Sequence, residues 1–179
     1  MNIQLSVNNQ SVETSGLTKD YREAICEYIW NGFEANAKSV SVSFVENELR
    51  GIDSISVEDD GDGIAFNDLH ETFGAFLVSK KNSLSLKAKT KANKGKGRFS
   101  FGAFSTSAKW ETRYKDNDSV HSFSMSLDSA NKQTLHCDDK PLATDEVTTG
   151  TKVTFYNIYG VTVSDISYGG FEDYLLSEF

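Results

Sequence analysis

The chain alternates helix-type and strand-type hydrophobic periodicity near its start, and this alternation constrains the fold more than any other feature. Between residues 21 and 37, apolar side chains recur at the spacing of a helix with one buried face. Residues 40–44 and 52–57 instead alternate apolar and polar side chains, and the polar stretch 46–51 between them predicts a turn. We therefore expect one long amphipathic helix followed by an antiparallel pair of strands.

Weaker patterns predict the remaining elements. With 179 residues, of which 38% are hydrophobic, the chain has enough apolar side chains for one α/β or α+β domain and is short for two. The predicted elements are an edge strand at 5–12, helices at 67–76, 99–108 and 164–179, strands at 108–114, 120–127 and 151–157, and a polar excursion at 128–149.

Charge is distributed unevenly along the chain. The formal net charge of −8 argues against a general nucleic-acid binder, because phosphate backbones require a basic surface. Seven Lys and one Arg nevertheless lie between Lys80 and Arg98, and no acid occurs from Thr72 to Trp110. This basic stretch is either a solvated loop, a DNA-binding segment, or a lid that closes over a polyanion such as a triphosphate.

The sequence shows no signal for export or membrane insertion. Its first residues lack a basic and apolar leader, and no stretch approaches the ~20 apolar residues needed to span a bilayer. Cys26 and Cys137 are isolated, without the spacing of a disulfide framework or a zinc site. These features predict a cytoplasmic protein with no membrane partner.

Glu27 and Asn31 form the first candidate site. Residues four apart on a helix share one face, so the carboxylate and the carboxamide lie one turn apart. An amide oxygen is a hard ligand that suits Mg²⁺, and a neighbouring carboxylate can orient or deprotonate a water. The alternative is that both residues, with Glu34 a turn further on, lie on an ordinary solvated helix face.

Asp59, Gly61 and Gly63 form the second candidate site, directly after a predicted strand. A carboxylate at a strand end beside glycines can accept a hydrogen bond from an exocyclic amine such as N6 of adenine. The carboxylate precedes the glycines and a third glycine is missing, which argues against a dinucleotide fingerprint. The other alternative is a calcium loop that begins at Asp59, although its twelfth position is His70 and not Glu.

A glycine-rich basic loop forms the third candidate site. Gly95 and Gly97 precede Arg98 and Phe99 at the start of a predicted helix, where backbone N–H groups and the helix end can receive phosphate oxygens. The loop does not match a Walker A motif. In this order the three sites supply a general base, a metal ligand, a carboxylate that can recognise adenine and a loop that can bind phosphate. Together they predict an ATP site.

The three sites resemble those of the GHKL ATPases, a family that comprises gyrase-type topoisomerases, the ninety-kilodalton heat-shock chaperones, histidine kinases and MutL. The resemblance covers about residues 18–157, and the pair Gly150-Thr151 is similar to the late Gly-Thr strand of the family. Where the family often has Asp, this chain has Glu34. The matching residues are Glu27 and Asn31 for the N-box, Asp59, Gly61 and Gly63 for the adenine-binding box, and Gly95 and Gly97 for the phosphate-binding box.

The resemblance implies a Bergerat ATP-binding fold. This fold is an α/β two-layer sandwich (α+β), with a mixed, mostly antiparallel sheet covered on one face by helices. The resemblance also implies that Glu27 is the catalytic base and that Asn31 holds the Mg²⁺ bound with ATP. The implied ATP-binding residues are Asn31, Glu34, Lys38, Asp59, Gly61, Gly63, Ile64, Ser79, Lys80, Lys94, Gly95, Lys96, Gly97, Arg98, Phe99 and Thr151.

The resemblance further implies an ATP-hydrolysing module at residues 1–160, whose lid closes over Mg-ATP to drive a conformational or dimerisation switch. Residues 161–179 are expected to lead into a further domain of a longer protein. ATP and ADP are the implied partners, with a nucleotide-dependent homodimer, and the identity of any client protein or DNA is open. Histidine kinases generally lack the Glu that Glu27 matches, which favours an ATPase. A kinase-like domain and a non-hydrolysing nucleotide switch are the alternatives.

Overall fold

A computed structural model describes residues 1–5, 17–69, 73, 97–168 and 170–179. Much of the predicted strand at 5–12, of the predicted helix at 67–76 and of the basic stretch therefore lies outside the described residues. The same holds for five predicted ATP-binding residues, which are Ser79, Lys80, Lys94, Gly95 and Lys96.

The strands of the described residues, eight in number, form one sheet, which is the larger layer. Its order is β1-β6-β5-β4-β8-β3-β2, with β7 paired to the remaining part of the β5 edge, and every pairing among the described residues is antiparallel. The strands are β1 (Asn2–Gln4), β2 (Val40–Glu46), β3 (Ile52–Asp59), β4 (Ser105–Asp116), β5 (Ser119–Asp128), β6 (Asn131–Cys137), β7 (Leu142–Thr144) and β8 (Gly150–Ile158).

Helices form the second layer. The long predicted helix is α1 (Tyr21–Glu34), which begins at Asp20, whose carboxylate accepts the N–H of Arg22 at 2.9 Å. The C-terminal stretch predicted as one helix forms two short helices, α2 (Val163–Ser167) and α3 (Phe171–Glu178). The described residues also form 3₁₀ helices at Phe66–Asp68 and Gly97–Ala103.

The core lies between α1 and one face of the sheet. Tyr28 of α1 packs edge-on against Phe155 of β8 with ring centroids 4.7 Å apart, and Phe104 packs on the same ring at 5.0 Å. Fully buried aliphatic and aromatic side chains of this size contribute roughly 1.5–3 kcal/mol each. Val161 and Phe171 belong to the same buried cluster, so the segment that carries α2 and α3 packs on the domain.

The other face of the sheet is polar. Because side chains alternate along a strand, Lys152 of β8 points away from α1 and lies 3.6 Å from Glu58 of β3. Helices thus cover one face of an antiparallel sheet, and the predicted α/β two-layer sandwich is confirmed. In the described part of the chain, no helix combines the length and the apolar character needed to cross a bilayer.

Two further predicted elements differ from the structure. The helix predicted at 99–108 ends early, because the 3₁₀ helix Gly97–Ala103 gives way to β4 at Ser105. The polar excursion predicted at 128–149 contains β6 and β7. β6 has few apolar side chains, and its strand conformation depends on pairing with β5 and β1, with Leu135 fully buried.

Candidate functional site

Glu27, Asn31 and Gly97 meet where α1 packs against the 3₁₀ helix Gly97–Ala103. A Cβ placed on Gly97 would lie 3.0 Å from Oε2 of Glu27 and 3.7 Å from Nδ2 of Asn31. Glu27 is half-buried and Asn31 is exposed, one turn further along the helix. The structure therefore brings the first candidate site and the end of the third together, as the sequence order predicted. A side chain at position 97 would crowd the carboxylate.

Tyr28 fixes the chain that follows Gly97. Its hydroxyl donates to the carbonyl oxygen of Arg98 at 3.1 Å and accepts the N–H of Phe101 at 3.3 Å. Burial strongly raises the pKa of Tyr28, so the phenol stays a neutral donor near pH 7. Sequence reasoning treated this residue only as an apolar position of the helix. Its place next to Glu27 was the one signal that it borders the site.

Arg98 places a positive charge beside the glycine-rich loop. Its guanidinium lies over the ring of Phe99 at 5.1 Å and over that of Phe73 at 5.6 Å. Burial lowers the pKa of Arg98 to about 10, which leaves the side chain charged at neutral pH. Phe99 itself is fully buried, and its ring belongs to the hydrophobic core.

Asp59 is held at the end of β3 by two backbone donors. Its Oδ1 accepts the N–H of Gly61 at 2.9 Å and that of Thr151 at 3.3 Å. Burial raises the pKa of Asp59, and the N–H groups of Gly61 and Thr151 oppose this rise. Both hydrogen bonds end on Oδ1. Within the described part of the chain, this leaves Oδ2 as the acceptor for a ligand.

Glycines on several elements allow the chain around Asp59 to pack closely. A Cβ on Gly32 of α1 would lie 2.9 Å from Cβ of Asp59, and one on Gly61 would lie 2.6 Å from the carbonyl oxygen of Ala35. Gly63 has a φ of 74°, and a Cβ there would lie 2.0 Å from the carbonyl oxygen of Arg113. Gly32 was missed from the sequence, because a glycine inside a helix carries no signal of what the helix contacts.

Two buried threonines join the strands behind Asp59. The hydroxyls of Thr112 on β4 and Thr151 on β8 lie 3.0 Å apart, and Thr112 Oγ1 accepts the N–H of Ile64 at 2.9 Å. Thr112 and Thr151 are 2% and 8% exposed, so this polar link is shielded from water. Thr112 was also missed, because its contact depends on the register between β4 and β8.

The acids that follow Asp59 connect the turn to the end of α1. Asp60 Oδ1 accepts the N–H groups of Lys38 at 2.7 Å and Ser39 at 2.9 Å, and these bonds lower the pKa of Asp60. Nδ2 of Asn36 donates to Asp62 at 2.5 Å. Because these two acids bind the chain around residues 36–39, the calcium-loop alternative finds no support in the described residues, which contain no metal-holding group of acids, His or Cys.

The other predicted residues lie around this frame. Glu34 is half-buried in the last turn of α1, and Lys38 is exposed with its backbone N–H used by Asp60. Ile64 packs partly against the core while its N–H is held by Thr112.

The side chains that border Gly97 suit a nucleotide-bound Mg²⁺. Glu27 and Asn31 present a carboxylate and a carboxamide there, and the lack of a side chain at Gly97 keeps the carboxylate uncrowded. Magnesium keeps several waters and takes few protein ligands when nucleotide phosphates supply the rest. The described residues contain no acid, His or Cys group that could hold a metal without such help. The amide oxygen of Asn31 is therefore suited to be a side-chain ligand of such an ion.

Comparison with known proteins agrees with this geometry. Residues 19–154 match the family model described as histidine kinase-, DNA gyrase B-, and HSP90-like ATPase. The match begins just before α1, includes all three candidate sites and ends within β8. A comparison with curated proteins gives no match. The chain therefore belongs to the family of histidine kinase-, DNA gyrase B- and HSP90-like ATPases, the GHKL superfamily, and it is an ATP-binding domain.

Proposed function

We propose that this domain hydrolyses ATP bound with Mg²⁺ and couples the bound nucleotide to a conformational or dimerisation switch. The observation that carries the proposal is the convergence of Glu27 and Asn31 on Gly97. This arrangement supports a base and a metal ligand at the point where the phosphate-binding loop meets α1. ADP and phosphate are the expected products.

Asp59 is the proposed contact for adenine. The N6 amine of the base would donate to Oδ2, while Oδ1 stays bound to the N–H groups of Gly61 and Thr151. Gly63 and Ile64 form the adjoining turn, which Thr112 holds through the N–H of Ile64. The adenine base would thus bind at the end of β3, beside a turn that is already held in place.

Glu27 and Asn31 are proposed to act at the terminal phosphate. Bound Mg²⁺ supplies positive charge that neutralises the β- and γ-phosphate oxygens. Asn31 would hold the ion through its amide oxygen, and Glu27 would orient a water and accept its proton. Arg98, charged at neutral pH, would add positive charge near the phosphates.

The basic stretch from Lys80 to Arg98 is the proposed lid, although most of it lies outside the described residues. Its lysines give it the charge needed to close over a triphosphate. Residues 1–160 are the proposed ATP-binding module, and any nucleotide-dependent dimer would follow from lid closure. Limited proteolysis with trypsin tests the lid, because a non-hydrolysable ATP analogue should slow cleavage after these lysines.

Replacement of the proposed base tests hydrolysis directly. Glu27→Ala should retain ATP binding and lower the rate of phosphate release about 100-fold or more, since general base catalysis contributes about 10²–10⁴. Glu23→Ala is a matched control, because Glu23 is exposed and lies one turn earlier on α1. Undiminished turnover in Glu27→Ala would exclude Glu27 as the base. ATP binding without turnover in the unmodified protein would instead support the non-hydrolysing switch.

A further inference from the structure

The open edge of β2 has few of the features that usually protect an edge strand, since its pairing with β3 is regular from Val40 to Val45 and shifts only between Val45 and Glu46. Among the described residues, β2 is the edge strand on one side of the sheet. It spans Val40–Glu46 and contains neither Lys nor Pro. Its apolar side chains Phe44 and Val45 are 39% and 56% exposed. The opposite edge, β1, is only three residues long. Natural proteins shorten or charge such edges to prevent pairing with another chain, so a long apolar edge indicates an interaction surface.

The backbone groups on this edge alternate in direction. The carbonyl oxygen of Ser39 accepts the N–H of Asp60 at 3.3 Å, and the N–H of Asn47 donates to Gly51 at 2.9 Å. Both residues therefore direct their backbone groups towards β3. Since the direction alternates along an antiparallel strand, the groups that face the open edge belong to the residues between them with even numbers. These residues are Val40, Val42, Phe44 and Glu46.

We propose that β2 pairs antiparallel with β2 of a second copy of this chain, around a two-fold axis at Ser43. In this register Val42 lies opposite the partner's Phe44, and Val40 lies opposite the partner's Glu46. Every outward backbone group of the strand then forms a hydrogen bond across the axis. Val42 and Phe44 lie on the helix-covered face, since their β3 neighbours Val57 and Ile55 are buried, and their pairing extends that apolar face.

Charge at the two ends of the strand also fits this pairing. The register brings Lys38, just before β2, level with the partner's Glu48, just after it. The symmetry repeats this opposite-charge pair at the other end. A register with the axis at Phe44 would place Val42 opposite the partner's Glu46, and one with the axis at Val42 would leave Glu46 beyond the paired strand. The strand is therefore complementary to itself in one register, which favours a second copy over an unrelated strand.

This dimer differs from a nucleotide-dependent one. The pairing uses only backbone groups and side chains of β2 and its flanks, so we expect it with or without ATP. A test of this dimer can therefore succeed or fail independently of the proposed ATP hydrolysis. Both sheets would join into one continuous sheet across the axis.

Analytical ultracentrifugation of the purified protein over a concentration series provides the first test. We expect a monomer–dimer equilibrium for the unmodified chain, and Phe44→Lys should shift it to monomer by placing a charge opposite the partner's Val42. Leu142→Lys is the matched control, because Leu142 is an apolar side chain on another strand and 61% exposed. The proposal would be overturned if the unmodified chain stayed monomeric at all concentrations. It would also be overturned if Phe44→Lys and Leu142→Lys weakened the dimer equally.

A charge exchange tests the register. Lys38→Glu should raise the dimer dissociation constant about threefold to tenfold, because it places two like charges level in two symmetric positions. Lys38→Glu combined with Glu48→Lys should restore the original dissociation constant, because the opposite charges then face each other in exchanged positions. A double variant as weak as the single one would contradict this register.

Disulfide trapping locates the axis. Ser43→Cys should form an intermolecular disulfide on mild oxidation, because residues in a non-hydrogen-bonded antiparallel pair have Cα atoms about 4.5 Å apart. Ser41→Cys is the control, since its neighbour would be the partner's Val45. The unmodified chain is a second control, as its own Cys26 and Cys137 are buried. Equal crosslinking of the two variants would refute the axis at Ser43.

Discussion

The two ends of the candidate ATP site are held in different ways. At the adenine end, Asp59 is fixed by two backbone donors, and Thr112 ties the turn at Ile64 to the sheet. At the phosphate end, the chain after Gly97 is fixed to α1 by the hydroxyl of Tyr28. The described contacts thus join the adenine end to several strands and turns, and they join the phosphate end to α1 through Tyr28. Because the two sets of contacts share no residue, each end can be perturbed separately.

A substitution at Gly63 should break the adenine end most severely. Gly63→Ala requires a left-handed backbone and a Cβ 2.0 Å from the carbonyl oxygen of Arg113. We expect the free energy of unfolding, measured by urea denaturation, to fall by about 3–5 kcal/mol. Gly160→Ala separates the two causes, because Gly160 has a φ of 67° with nothing within 4 Å of a Cβ. It should cost only about 1–2 kcal/mol, and equal losses would show that contact with Arg113 is unimportant.

Removal of one hydroxyl should loosen the phosphate end alone. Tyr28→Phe keeps the ring packed on Phe155 but deprives Arg98 and Phe101 of their partner. We expect a loss of about 1–2 kcal/mol in stability, with weaker binding of ATP. The affinity for adenosine, which lacks phosphates, should stay unchanged in calorimetric titration if the two ends are independent.

Tyr21→Phe is the matched control for this prediction. Tyr21 is also on α1, and its hydroxyl donates to the carbonyl oxygen of Asp165 at 3.3 Å, on α2. Its removal should not change the affinity for ATP. Equal effects of the two variants on ATP affinity would remove Tyr28 from the account of the phosphate end.

The smallest effect concerns the cost of keeping Asp59 ionised. Burial raises the pKa of Asp59 in the folded state, so the protonated side chain contributes to stability below the ordinary Asp pKa of about 4. This contribution is lost as the pH rises through the raised pKa. Asp59→Asn should therefore be slightly more stable than the unmodified apo domain at pH 7, with the difference vanishing below about pH 4. Thermal unfolding across this pH range measures it. A variant less stable at pH 7 would contradict the sign.

Sequence reasoning succeeded where the signal was local. The spacing of apolar residues predicted α1, and the alternation after it predicted β2 and β3, because both patterns follow from a single element with one buried face. β6 was missed because its conformation depends on pairing with β1 and β5. The early end of the helix predicted at 99–108 has a similar cause, since β4 pairs with β5 and β8 over this range.

The candidate site shows the same division. The order of Glu27, Asp59 and Gly97 predicted which segments would form it, and the structure places Gly97 against Glu27. The residues that hold these segments were not predictable. Tyr28 appeared to be an ordinary apolar helix position, and Thr112 an ordinary strand residue. Their roles depend on contacts between segments far apart in the chain.

Calorimetric titration of Mg-ATP into three proteins tests the central claim most directly. The unmodified protein and Glu27→Ala should bind with similar affinity, because Glu27 is proposed to act on water and not to hold the nucleotide. Asp59→Asn should bind at least about 100-fold more weakly, since it replaces the charged acceptor for the adenine amine and leaves a donor facing a donor. Equal affinity of Asp59→Asn and the unmodified protein would contradict the placement of adenine at the end of β3.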